Sequence, residues 1–278
     1  KQQITRNFVN ELGKNSWYGL TDKEKKELND IINRRVRQKL ITKGASNLEE
    51  LQKKTAHVYL RRTKYELNDL PPKYIHERYY ILTPEQKQEY DKLWDEYEKM
   101  KLEETPDKEL NKDLLEGGIY RKYLSNQMVP HTIKLVDRCI EKGEKVIIAC
   151  CYDEELYTLK EYYGDKCVVY NGKMSLKEKD EAVRKFMNES DTIVFICNIV
   201  AAGVGLTLTV SRVLIFNNIQ WSPGENQQMQ DRIHRIGQTR DVHIFYQFFK
   251  DTQYEKMWKT VLNKSENIDK VIKKEQDK

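Results

Sequence analysis

The sequence predicts an α/β fold for its C-terminal half, a parallel sheet flanked by helices, behind a mainly helical N-terminal accessory and linker region. Three observations carry this. Five short apolar runs, Val146–Ala149, Val168–Tyr170, Ile193–Cys197, Val213–Phe216 and Val242–Phe248, lack polar alternation, as strands buried on both faces do. They alternate with helical stretches near 131–142, 153–163, 175–188, 223–236 and 253–263, the order that builds an open, right-handed α/β sandwich. Residues 1–125 are by contrast highly charged and helical in pattern. The expected division is therefore 1–125 and 126–278.

Helix starts in the first region are read from Ser/Thr-x-x-Glu/Gln spacings, in which each residue caps the other's backbone N–H. Thr21 with Glu24, Ser46 with Glu49 and Thr83 with Gln86 fit, and Thr105 with Lys108 is a weaker copy. Pro84 falls at the first helical position, where its missing N–H costs nothing, so a helix is expected from Pro84 to Glu103. Leu70-Pro71-Pro72-Lys73 breaks any helix, and Tyr74 to Leu82 reads as a strand. Glu104 to Gly118, with Pro106, Gly117 and Gly118, reads as a loop or linker.

Composition narrows the class. The 278 residues are 33% charged and 38% hydrophobic, and no apolar run approaches the roughly 20 residues that span a bilayer. No membrane association is expected, and the location is read as intracellular: nucleus in a eukaryote, cytoplasm in a bacterium or virus. The 49 Lys and Arg exceed the 44 Asp and Glu by five, a mild basic balance compatible with nucleic acid. Five cysteines show no metal-ligand spacing with the five histidines, so they read as reduced core thiols and no metal site of their own is expected.

Chemistry is first visible at Ser222-Pro223-Gly224-Glu225, which places an N-cap, an N1 proline and an N3 acid in order. In the helix expected from it, Gln228, Arg232 and Arg235 fall at i, i+4 and i+7 and share a face. Met229, Ile233 and Ile236 form the docking stripe and Gly237 the stop. Two fixed guanidiniums beside a glutamine suit phosphoryl transfer, which needs planar, permanent cations for equatorial oxygens. Spacing alone favours the plainer reading, a surface helix with an Asp231–Arg235 ion pair worth about 0.3–0.5 kcal/mol.

Upstream, the strand ending at Cys197 runs into Asn198 to Thr207, where Ala201, Ala202, Gly203 and Gly205 leave room for backbone amides to approach a phosphate. The same small residues would serve a plain turn. Trp221 between strand and helix reads either as core packing or as a ring that stacks on bases.

The order of these segments resembles the Snf-type (Swi/Snf-related) ATPases of helicase superfamily 2. Gln228 to Gln238, with its core Asp231-Arg232-Ile233-His234-Arg235-Ile236-Gly237-Gln238, resembles the sixth helicase motif, Ala201 to Thr209 the fifth, and Trp221-Ser222-Pro223 the Trp-Asn-Pro signature. Asn171-Gly172 through Phe186, with Ser175 and Glu178 capping a helix, resembles the stretch between the fourth and fifth. Leu60 to Lys64, Leu70 to Lys73 and Leu82 to Gln86 resemble the linker into the second lobe. Ser46 to Leu51 and Trp221 to Glu225 are more similar to the annealing-helicase branch than to nucleosome remodellers. The sequence departs from the family at Thr207, usually Asn, at Asn218, often Asp, at Ser222, usually Asn, and at Lys179, commonly Arg.

The resemblance implies the C-terminal RecA-like lobe of an ATP-dependent double-stranded DNA translocase. Arg232 and Arg235 would be arginine fingers, with Gln228, Gly203, Gly205 and Asp231 beside ATP. Asn171, Gly172, Ser175, Lys179, Thr207 and Trp221 would touch DNA, mainly at phosphates. Arg61, Arg62 and Lys64 would brace the linker or touch DNA. The sequence has no Gly-x-x-x-x-Gly-Lys-Ser/Thr and no Asp-Glu-x-His after a strand. ATP and Mg²⁺ would therefore be held with an N-terminal RecA-like lobe of the same protein, and this fragment alone is expected neither to bind them nor to hydrolyse ATP. The rival reading is a non-catalytic DNA-binding or protein-interaction module that keeps the fold, with residues 84–125 as a docking surface.

Overall fold

The computed structural model describes residues 21, 23–30, 50, 53–54, 70–102, 118–203 and 205–272. They fall in two compact units, residues 1–60 with 269–278, and residues 61–268. In the first, residues 23–30 are helical and the expected cap is present. The Thr21 N–H donates to Glu24 Oε2 at 2.7 Å and the Glu24 N–H to Thr21 Oγ1 at 3.4 Å. The Ser46 and Thr105 caps, Arg61, Arg62, Lys64 and the 104–117 linker lie outside the described residues.

The second unit is built on six strands, β1 (Lys73–Tyr80), β2 (Val146–Cys150), β3 (Cys167–Tyr170), β4 (Val194–Asn198), β5 (Val213–Phe216) and β6 (Val242–Phe249). All pair in parallel in the order β1-β6-β5-β2-β4-β3. β2, β4 and β5 are central and buried along nearly their whole length, as their unbroken apolar runs require. Ile147, Phe195, Leu214 and Ile244 belong to one core cluster, and Val146, Ile148, Ile196 and Ile215 to the other. This is the two-sided burial of a sheet covered on both faces.

Helices α1 (Pro84–Leu102), α2 (Ile119–Ile140), α3 (Asp153–Tyr163), α4 (Leu176–Asn188), α5 (Ile199–Ala202), α6 (Pro223–Gln230) and α7 (Gln253–Ile272) supply the cover. α1 opens at Pro84 with the Gln86 N–H on Thr83 Oγ1 (3.3 Å) and the Thr83 N–H on Gln86 Oε1 (2.9 Å). α2 is 22 residues long and starts twelve residues before the expected 131. Leu124, Met128, Val129 and Val136 bury one stripe of it, and Pro130 lies inside.

That helix runs straight through residue 125, where the texture of the sequence suggested a division. β1, on the N-terminal side, joins the same sheet beside β6. Backbone pairing thus continues across the change of texture. β1 is one of the two edge strands and exposes Tyr74, Ile75 and Tyr79. No helix among the described residues is long and apolar enough to cross a membrane. Cys150 and Cys197 are buried, and Cys139, Cys151 and Cys167 are half-buried.

Candidate functional site

The β5–α6 connection is held residue by residue. The Ile219 N–H donates to the Tyr254 hydroxyl (2.7 Å), and Arg121 Nη2 donates to the Ile219 carbonyl (3.0 Å). The Gln220 N–H donates to Asn226 Oδ1 (2.9 Å). Ser222 stands at the N-cap position with Pro223 next, yet its hydroxyl makes no cap bond. Asn226 ties the connection to the helix instead, its Nδ2 donating to the carbonyls of Gln220 (2.8 Å) and Ser222 (3.2 Å).

α6 ends at Gln230, six residues before the expected 236, with Asp231 as C-cap. Tertiary bonds draw the chain out of the helix: the Leu208 N–H takes the Arg232 carbonyl at 2.9 Å, and Lys73 Nζ takes Gln230 Oε1 at 2.8 Å. Gln238 Nε2 donates to the Ser211 carbonyl at 2.9 Å. Of the expected docking stripe, Met229 and Ile233 are buried but Ile236 is 74% exposed. Gln228, Arg232 and Arg235 therefore do not share one helix face.

They converge nonetheless, on the loop that leaves β4. Arg232 donates from Nη1 to the Leu206 carbonyl (3.2 Å) and from Nη2 to the Gly203 carbonyl. Arg235 Nη1 reaches the Leu206 carbonyl and Thr207 Oγ1, both at 3.4 Å. Gln228 Oε1 lies so near Gly203 that a Cβ there would stand 3.3 Å away. Gly205 has φ +76°, a conformation open to glycine. The small residues do not leave every amide free, because Asn198 Oδ1 accepts from the N–H groups of Val200 (3.1 Å) and Ala201 (3.3 Å). What the loop turns toward the arginines is carbonyl oxygen.

Charge is left over here. Arg232 Nε is buried with no hydrogen-bond partner. Burial, and then the neighbouring Arg235 cation, push the Arg232 pKa below its usual value, against an opposing pull from Asp231. Asp231 itself accepts from Gln227 Nε2 at 2.8 Å. Neither Arg232 nor Arg235 is in an ion pair among the described residues. A buried N–H without an acceptor beside two close cations fits a polyphosphate anion.

The residues expected at DNA are spread along the ends where strands exit. Asn171 is buried and builds the turn after β3, its Oδ1 accepting from the Lys173 N–H (3.0 Å) and its Nδ2 donating to the Tyr157 hydroxyl (3.3 Å). Gly172 is open, with nothing within 4 Å of a Cβ built on it. Ser175 caps α4 reciprocally with Glu178, and Lys179 Nζ lies 5.5 Å above the Tyr170 ring. Thr207 belongs with the arginines, across a groove from Asp180, Val183 and Arg184 of α4. Trp221, 38% exposed after β5, has the Arg121 guanidinium 5.8 Å from its ring centre.

A buried polar network also supports this region, and sequence reasoning missed it because Asp153-Glu154-Glu155 reads as an ordinary acidic helix start. Glu155 is fully buried. Its carboxyl accepts from Ser125 Oγ, Asn217 Nδ2 and the N–H groups of Cys151 (2.6 Å) and Tyr152 (2.8 Å). Burial raises its pKa, partly offset by these donors. Thr132 and Gln247 extend the network to β6.

Residues 128–237 match the conserved C-terminal domain of helicases, a likeness that the parallel sheet and its flanking helices fit. The chain is 25% identical over 245 residues to the uncharacterized ATP-dependent helicase MG018 of Mycoplasma genitalium, covering 83% of this chain and 24% of that protein. It is 27% identical over 230 residues to the DNA annealing helicase and endonuclease ZRANB3 of Homo sapiens, covering 78% of this chain and 20% of that protein. The chain thus spans about a quarter or less of these relatives. The SWI2/SNF2 ATPase core of Sulfolobus solfataricus, solved in complex with double-stranded DNA, shares its fold at TM-score 0.54 and 23% identity, covering 81% of this chain and 56% of that one. More particularly, these matches liken the chain to the C-terminal lobe of Snf2-type superfamily 2 helicases, and the similarity to ZRANB3 matches the annealing-helicase lean of its motifs.

Proposed function

We propose that this chain is the C-terminal half of an ATP-dependent double-stranded DNA translocase, in which Arg232 and Arg235 are arginine fingers. The observation that carries the reading is their convergence with Gln228 on the Gly203–Thr207 loop, with the Arg232 Nε buried and lacking an acceptor. Bound ATP with Mg²⁺ supplies the transferable phosphoryl group. The chain's own part is to place two permanent cations against its oxygens, the geometry that phosphoryl transfer rewards.

The P-loop absent from this sequence is assigned to a second RecA-like lobe, so the 278-residue chain by itself is expected not to hydrolyse ATP. In moving to the phosphates the guanidiniums exchange the carbonyls of Gly203 and Leu206 for anionic oxygens, which are better acceptors. Asp231, with Gly203 and Gly205, shapes the turn and loop that hold them. Asn171, Gly172, Ser175, Lys179, Thr207 and Trp221 line the strand exits for sequence-tolerant contact with the DNA backbone. The fold shared with the DNA-bound S. solfataricus core supports that partner, and the similarity to ZRANB3, a DNA annealing helicase, supports a lean toward annealing activity.

The test is DNA-stimulated hydrolysis by the full-length protein carrying Arg232→Ala or Arg235→Ala. Turnover should fall roughly 10³- to 10⁵-fold with DNA affinity retained. Undiminished turnover in both variants would remove the finger roles, and no hydrolysis by the unaltered protein would favour the non-catalytic module.

A further inference from the structure

Around Trp221 the side chains form a ladder in which cations and rings alternate. Lys122 Nζ lies 5.9 Å from the Tyr152 ring centre, and the Arg121 guanidinium lies 5.9 Å from that ring and 5.8 Å from Trp221. Lys264 Nζ lies 5.7 Å from Trp221. The middle rung, Arg121, is buried and bonded to the Ile219 carbonyl. The two outer rungs are exposed lysines, from the first turn of α2 and from α7. Neither is in an ion pair among the described residues.

This arrangement differs from an ordinary solvated lysine surface. A free lysine tip ranges over many rotamers, and a salt-bridged one spends its charge on a neighbour. Here each ammonium is drawn to an aromatic face, which restricts it without neutralising it, because a ring offers a quadrupole and no net charge. The rings are fixed in turn. Tyr152 sits at the start of α3 with its N–H on buried Glu155, and Trp221 is on the connection pinned by Tyr254, Arg121 and Asn226. Tyr152 follows β2 and Trp221 follows β5, which are neighbours in the sheet, so the ladder runs along the strand-exit end. Trp221, with Arg121 and Lys264 both close to its ring, is occupied as a platform for cations.

We infer that Lys122 and Lys264 are contacts for the phosphate backbone of double-stranded DNA, held for that purpose by Tyr152 and Trp221. The inference rests on the DNA-binding reading above and extends it to α2 and α7. It also gives Trp221 the work of holding Lys264 in place of stacking on bases.

The experiment measures affinity of the 278-residue chain for a short DNA duplex between about 20 and 200 mM salt. Each phosphate contact adds about 0.9 to the slope of log affinity against log salt. Lys122→Gln and Lys264→Gln should each lower the slope by about that much, the double variant by about twice it, and Lys142→Gln, in the turn beyond the far end of α2, should leave it unchanged. Trp221→Leu should lower it through Lys264, and adding Lys264→Gln to that variant should cost little more. A duplex bound by the unaltered chain with the same slope in the double variant would sink this inference alone. No duplex binding by the unaltered chain would overturn both the inference and the DNA reading on which it rests.

Discussion

Two pairs of arginines in this lobe meet different acceptors. Where β2, β5 and β6 begin, Arg212 and Arg240 both close on Glu144, at 2.7 and 3.1 Å, and that carboxylate is only 11% exposed. On the loop leaving β4, Arg232 and Arg235 close on the carbonyls of Gly203 and Leu206 and on the Thr207 hydroxyl. The first cluster has two cations against one anion, a tie between strand starts. The second has two cations that form no ion pair among the described residues, with Arg232 partly desolvated and Asp231 only partly opposing that. Like charges held together cost free energy, and under the proposed finger role a bound phosphate would bring the opposing charge.

The largest way to break the comparison is catalytic. Arg212→Ala and Arg240→Ala in the full-length protein should leave DNA-stimulated turnover near its original level, while the alanine variants of Arg232 and Arg235 lose several orders of magnitude. Comparable losses in both pairs would mean that turnover merely reports stability.

Next in size is the buried carboxyl of Glu155. Glu155→Gln places an amide N–H group against two of its donors and should cost about 3 kcal/mol in denaturant unfolding. The pH dependence has a definite sign. Burial raises the Glu155 pKa in the folded chain, so its contribution is complete below about pH 4.3, the ordinary glutamate value, and is lost as pH rises through the folded value. The stability gap to Glu155→Gln should be widest near pH 4 and narrow toward pH 8. A gap that widens with pH would refute this.

Glu144→Gln should cost less, about 1–3 kcal/mol, and its pH dependence runs the other way. The hydrogen bond from Arg212 holds the Glu144 carboxyl below its usual value. Its stabilisation is thus present above about pH 4.3 and lost as pH falls through the folded value. Thermal unfolding of the two proteins should converge in acid.

The smallest effect is on the free lobe. Pyrophosphate at a concentration near its dissociation constant should raise the melting midpoint by about 1 °C, since equal occupancy gives about 0.4 kcal/mol. The shift should vanish in the Arg232→Ala, Arg235→Ala double variant and persist in Arg212→Ala.

The sequence by itself determined the sheet, because an unbroken apolar run such as Ile193–Cys197 has few alternatives to a strand buried on both faces. It also determined the caps at Thr21, Thr83 and Ser175, which are local bonds between residues three apart. It placed Gln228, Arg232 and Arg235 in one motif. Tertiary structure decided how they meet. The periodicity of Met229, Ile233 and Ile236 continues past residue 230, but long-range bonds from Leu208, Lys73 and Gln238 end α6 there, and the arginines converge through a turn. The place of β1 at the sheet edge and the burial of Glu155 were likewise invisible, as both depend on partners between 30 and 169 residues away. A spacing fixes which groups are near along the chain, while the charge left unneutralised depends on everything that packs around them.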